Sequence, residues 1–207
     1  MEILKKITVL LSGLIFTVSL LHGQQFESKI AAFKESYQLE NKGDYHAAAN
    51  SLKAVYQASS YEINLRLGWL SYKSGSLTES ESYYRKAISI MPYGIEARFG
   101  LVYPLSSMGN WTQVIEVYEK ILEIDPDNSL ANYRYGLLLY NRKDYLKADR
   151  LISLVVNLFP FDYDSVVLLG WIKLKLGNTV EAKLLFQKAL LNHPDDPSAL
   201  KGLLLIQ

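Results

Sequence analysis

The sequence predicts an all-α fold: an α-solenoid of five helical hairpins closed by a C-terminal capping helix. Two phases of one period carry that reading. Pro92, Pro126, Pro160 and Pro194 stand 34 residues apart, and Gly68, Gly136 and Gly170 keep the same ruler. Gly75, Gly109 and Gly177 repeat it in a second phase, with Lys143 at the missing position. A fixed period of this length is the signature of a repeat array. With 49% hydrophobic residues and a net charge of +1, the chain can bury a core and is not disordered.

Residues 1–24 read as a signal peptide. MEILKK supplies two lysines, a 15-residue apolar run follows from Ile7 to Leu21, and Gly23 offers a small residue near the end. That run is shorter than the ~20 residues a spanning helix needs. Cleavage is expected after Gly23 or Gln24, an uncleaved N-terminal anchor being the alternative. The remaining chain, 25–207, is expected to be exported to the periplasm or cell envelope, with no membrane insertion once the signal is removed.

The five hairpins follow at 29–60, 61–94, 95–128, 129–162 and 163–196, with the cap helix at 197–207. The first keeps GDYHAAANSL (Gly43 to Leu52) but lacks a closing proline. In the second, INLRLGWLSYKSG ends on Gly75, a suitable left-handed stop, and SLTESESYYRKAISIMP is closed by Pro92. The third departs most: Pro104 stands inside its first helix, where it removes a donor and crowds the carbonyl of Gly100. An interior proline costs a helix ~3 kcal/mol. The fourth places Lys143 at the turn, and the fifth returns to glycine at Gly177. PSALKGLLLIQ (Pro197 to Gln207) then reads as one more first helix.

These positions resemble the tetratricopeptide repeat family. Its pattern puts small residues at the eighth, twentieth and twenty-seventh places, an aromatic near the twenty-fourth and proline at the thirty-second. Repeat two has Gly68, Ser80, Ala87, Tyr84 and Pro92; repeat five has Gly170, Ala182, Ala189, Phe186 and Pro194. Repeat four has Gly136, Ala148, Val155, Ile152 and Pro160. The resemblance implies a right-handed superhelix in which small residues let helices approach closely and each hairpin buries its apolar face on the next.

Repeat three has Val102, Val114 and Ile121 at its small places. Either Pro104 and these residues are a tolerated irregularity, or they bend the helix and widen a groove around a free Gly100 carbonyl.

The resemblance also implies a concave face built by the first helix of each hairpin. Carried over place by place, it holds Phe33, Tyr37 and Asn41, then Glu62, Leu65, Trp69, Tyr72 and Lys73, then Glu96, Phe99 and Tyr103. Repeat four adds Tyr133, Leu137, Tyr140 and Asn141, and repeat five Asp164, Val167, Trp171 and Lys175. Nine aromatics on one strip suit an extended peptide, a partner helix or a flat glycan face. Trp69, Phe99 and Trp171 serve equally well as cement between hairpins, whereas Tyr72, Tyr103 and Tyr140 are expected to reach solvent. The asparagine partners of the family's carboxylate clamp are missing at the ninth places.

Chemistry is poorly represented. There is no cysteine, hence no disulfide, thiolate ligand or lipid attachment through one. His46 and His193 lie about four repeats apart, and no phosphate loop, HExxH or GxSxG motif occurs. No catalytic residue, metal site or cofactor is assigned. Asp125 with Asp127, and Asp195 with Asp196, are expected to cap the helices that follow.

Without Glu2, Lys5 and Lys6 the basic and acidic residues balance, which argues against nucleic acid and anionic lipid as partners. Leu203 to Ile206 are consecutive apolar residues, more than one helix face hides. Leu205 and Ile206 are the expected exposed pair, open to an edge contact or weak self-association through the C-terminal helix. The expected function is a non-catalytic scaffold or adaptor for a partner protein or peptide. The alternatives are a glycan- or peptidoglycan-associated module and a structural subunit of an envelope assembly.

Overall fold

A computed structural model describes residues 23–206. The signal peptide expected over 1–24 lies outside them, except for Gly23 and Gln24, which are helical.

Every element among the described residues is helical. Helix α1 spans 23–41, followed by α2 (Tyr45–Lys53), α3 (Tyr61–Lys73), α4 (Leu77–Ile90) and α5 (Glu96–Ser107). Then come α6 (Trp111–Ile124), α7 (Ser129–Asn141), α8 (Tyr145–Leu158), α9 (Tyr163–Lys175), α10 (Thr179–Asn192) and α11 (Pro197–Leu204). The helices group into two compact units that divide after Trp111.

The turns inside the hairpins follow from backbone sterics. Gly43, Gly75, Gly109 and Gly177 all hold φ between 74° and 83°, and Lys143 holds 64° at the same point. A left-handed residue there ends each first helix. In three hairpins an acceptor side chain then starts the second helix: Asp44 accepts from the Ala47 N–H, Asp144 from that of Lys147 and Asn178 from that of Glu181. Asp196 likewise caps α11 by accepting from the Ala199 N–H. At α7 the expected carboxylates do not cap. Asn128 accepts from the Ala131 N–H, and Asp125 only holds the Asn128 amide.

Between hairpins the chain is tied by buried polar side chains one repeat apart. The Asn64 amide donates to the Ser60 and Ala58 carbonyls, and that of Asn132 to the Asn128 and Pro126 carbonyls. Arg98 donates to the carbonyls of Gly94 and Pro92, both at 2.6 Å. These bonds satisfy loop carbonyls that packing shuts away from water.

The small places act as the sequence implies. In the first unit Ser80 is buried and donates its hydroxyl to the Gly68 carbonyl at 2.7 Å. The Tyr84 ring lies where Gly68 and Gly100 leave room for it. In the second unit the Phe186 ring sits against Gly170 and Gly202 in the same way. Leu52, Ile63, Leu67 and Leu70 fill the first core; Ile121, Ile152, Ile172 and Phe186 fill the second.

Candidate binding groove

In the first unit α1, α3 and α5 turn one row of side chains toward a shared groove of about 550 Å³. Phe33, Tyr37, Leu65, Trp69, Phe99 and Tyr103 line it, together with Glu62 and Glu96, all expected from the sequence. The periodicity explains the convergence: residues four apart on a helix share a face. The rings form a packed set rather than free arms. Tyr72 stacks on Tyr103 with centroids 5.3 Å apart, and both lie about 6 Å from Trp69.

An ion pair fixes the floor. Arg66 donates to Glu40 across α3 and α1, and the Trp69 indole N–H donates to the other Glu40 oxygen at 2.6 Å. The Arg66 guanidinium also lies over the Tyr37 ring, 4.0 Å from its centroid. Burial works against ionising Glu40, but the hydrogen bonds from Arg66 and Trp69, with the Arg66 charge, hold its carboxyl below the usual range. Lys73 is exposed and stands 5.3 Å from the Tyr45 centroid and 5.4 Å from that of Trp69.

In the second unit the expected residues are spread more widely. Tyr133 lines a hollow of about 320 Å³ with Leu130, Phe159, Asp162 and Asp164. Tyr140 is half-buried beside Tyr145, its centroid 5.7 Å away, and Asn141 is exposed. Trp171 is committed to packing. Its indole N–H donates to the Ser198 hydroxyl of α11 at 2.8 Å, and its ring meets Phe186 edge-on at 5.2 Å.

Family models for the tetratricopeptide repeat match residues 33–95, 117–150 and 164–196, together more than half of the chain. The chain belongs to the tetratricopeptide repeat family. Solved structures agree on the fold. A tetratricopeptide repeat protein from Parabacteroides merdae is 21% identical, with a TM-score of 0.74, over 87% of this chain and 72% of that one. MamA from Desulfovibrio magneticus is 18% identical, with a TM-score of 0.68, over 82% and 97%. YrrB, described as a TPR protein with an unusual peptide-binding site, is 16% identical, with a TM-score of 0.68, over 90% and 96%. Among curated proteins none matches the sequence.

Several details of this tetratricopeptide repeat protein differ from expectation. Tyr72, Tyr103 and Tyr140 are half-buried by neighbouring rings instead of standing free in solvent. In repeat three the outcome matches the tolerated-irregularity reading: helix α5 runs through Pro104 without interruption, and the proline carbonyl accepts from the Met108 N–H at 3.0 Å. Gly100 answers to the Tyr84 ring as well as to the proline four residues on. At the C-terminus the exposed pair is Leu204 and Leu205, while Ile206 is half-buried. The face α11 turns inward carries Ala199 and Gly202, and a side chain on Gly202 would collide with the Phe186 ring. His46 and His193 are exposed as expected; the His193 ring also packs 4.1 Å from that of Tyr163.

Sequence reasoning missed Arg66, Glu40, Tyr61 and Tyr84 as parts of the groove. Glu40 sits at the twelfth place of repeat one, where the later repeats hold Tyr72, Ser106, Tyr140 and Leu174, so the one charged residue of that column was the visible sign.

Proposed function

We propose that this chain is an exported, non-catalytic adaptor of the periplasm or cell envelope, holding a segment of a partner protein in the groove of its first unit. One observation carries the reading: seven apolar and aromatic side chains from three successive first helices converge on a single open groove of about 550 Å³. Such a surface offers rigid contact area that binding need not order, so little entropy is lost on this side. Family membership supports an interaction role, and YrrB, which shares the fold, is described as having a peptide-binding site. The lysine-flanked apolar N-terminus supports export.

Site-specific photo-crosslinking in the producing cell tests both parts. A photo-reactive residue replaces Tyr37 or Tyr103 in the groove, and Tyr93, which is 85% exposed and does not line it, as control. The expected result is one discrete protein adduct at both groove positions, none at Tyr93, and recovery in the envelope fraction. No adduct at either groove position, or the same adducts at all three, would overturn the binding reading. A cytoplasmic product would overturn export.

A further inference from the structure

We infer that the first-unit groove accepts an arginine side chain from the partner segment; this rests on the adaptor reading and names the chemistry the groove selects. The rings alone would take any apolar residue. What singles out a cation is the charge around them.

Three ionisable side chains besides the tyrosines line the groove: Glu62, Glu96 and Arg66. Arg66 is already paired with Glu40, so its charge is met within the fold. Glu62 accepts from its own backbone N–H and from the Ser60 hydroxyl at 2.8 Å, and Glu96 from the Tyr61 hydroxyl at 3.4 Å, all neutral partners. Lys29 of α1 acts on Glu62 through space, and Lys73, which does not itself line the groove, lies over Trp69 and Tyr45. Among the described residues the groove therefore presents two carboxylates at its α3 and α5 rims with no cation hydrogen-bonded to either.

An anionic occupant would face both carboxylates. An apolar one would desolvate them with nothing in return. A guanidinium satisfies both features, since it stacks its plane on aromatic faces and offers forked donors to carboxylates. The fold already contains that arrangement once, in Arg66 over Tyr37 with Glu40 at its edge.

A random peptide display library panned on the full chain tests the assignment. The selected peptides are expected to share an arginine at one fixed position. Glu62→Gln/Glu96→Gln, with both side chains exposed and its melting curve compared with the parent, is expected to bind the best peptide about tenfold more weakly, as two partly exposed pairs imply. Replacing the peptide arginine with methionine is expected to weaken parent binding to the same degree. Selected peptides that lack arginine yet lose binding to Tyr103→Ala would overturn the arginine assignment and leave the adaptor reading standing. Arginine peptides bound equally by the Gln variant would also overturn the assignment. If the library yields no peptide above background, both readings fall.

Discussion

A side chain on Gly100 would collide with the ring of Tyr84: a Cβ built there stands 2.1 Å from Cε1. Tyr84 belongs to α4 and Gly100 to α5, so the contact fixes how closely one hairpin follows the previous one. The same relationship recurs where Gly202 of α11 meets Phe186 of α10, with a Cβ 2.3 Å from Cε2. An aromatic near the end of one repeat thus pairs with a glycine at the sixth place of the next.

Gly100→Ala is therefore expected to lower stability by about 1–3 kcal/mol, the usual range for overpacking a filled core. Thermal melting followed by circular dichroism measures it. Combining it with Tyr84→Leu should cost less than the sum of the single changes, because the clash disappears with the ring. Additive losses would show that the glycine serves α5 itself and not the contact.

Lys143 holds a left-handed conformation that four glycines occupy at the equivalent turns of other repeats. Lys143→Gly should raise stability by about 0.5–1 kcal/mol, the relief of strain exceeding the entropy cost of glycine. Gly177→Lys, at φ 81°, should do the reverse. Urea unfolding midpoints at constant slope check both.

Acid should loosen the first-unit groove through Glu40. Its carboxyl titrates below its ordinary value of 4.5 when folded, so the bonds to Arg66 and Trp69 stabilise the fold above that value. This contribution is lost as pH falls through the depressed folded value. The Trp69 indole N–H resonance is expected to report a transition below the normal glutamate range. Glu40→Gln should abolish that transition and flatten the acid limb of stability; an unchanged titration would mean another group drives it.

Trp171→Phe keeps an aromatic ring beside Phe186 but removes the donor to Ser198. A loss of about 1 kcal/mol is expected for one partly buried hydrogen bond. Since Ser198 lies in α11, the change should appear first as faster amide exchange in that helix, with α7 and α8 unaffected. Uniform acceleration throughout the second unit would point instead to lost core packing.

The sequence by itself determined the architecture. Pro92, Pro126, Pro160 and Pro194, the turn glycines and the small places are local requirements of backbone geometry and close approach, and such requirements are readable residue by residue. It also determined which faces of α1, α3 and α5 meet, because helical periodicity assigns a side chain to a face before any packing is known. A further column was present and unused: Asn64, Arg98 and Asn132 share the 34-residue ruler, yet their role in holding loop carbonyls depends on burial.

Only the tertiary structure decided what each exposed-looking ring does. Tyr72 and Tyr103 are equally plausible in sequence as solvent-facing anchors, and their mutual stacking arises from the distance between α3 and α5. Trp69 and Trp171 occupy the same place in their repeats, but one bonds backward to Glu40 and the other forward to Ser198. The partner of a long side chain depends on which helices lie within a few ångströms of its tip. That distance is set by the sum of all contacts between hairpins, and no single residue of the chain encodes it.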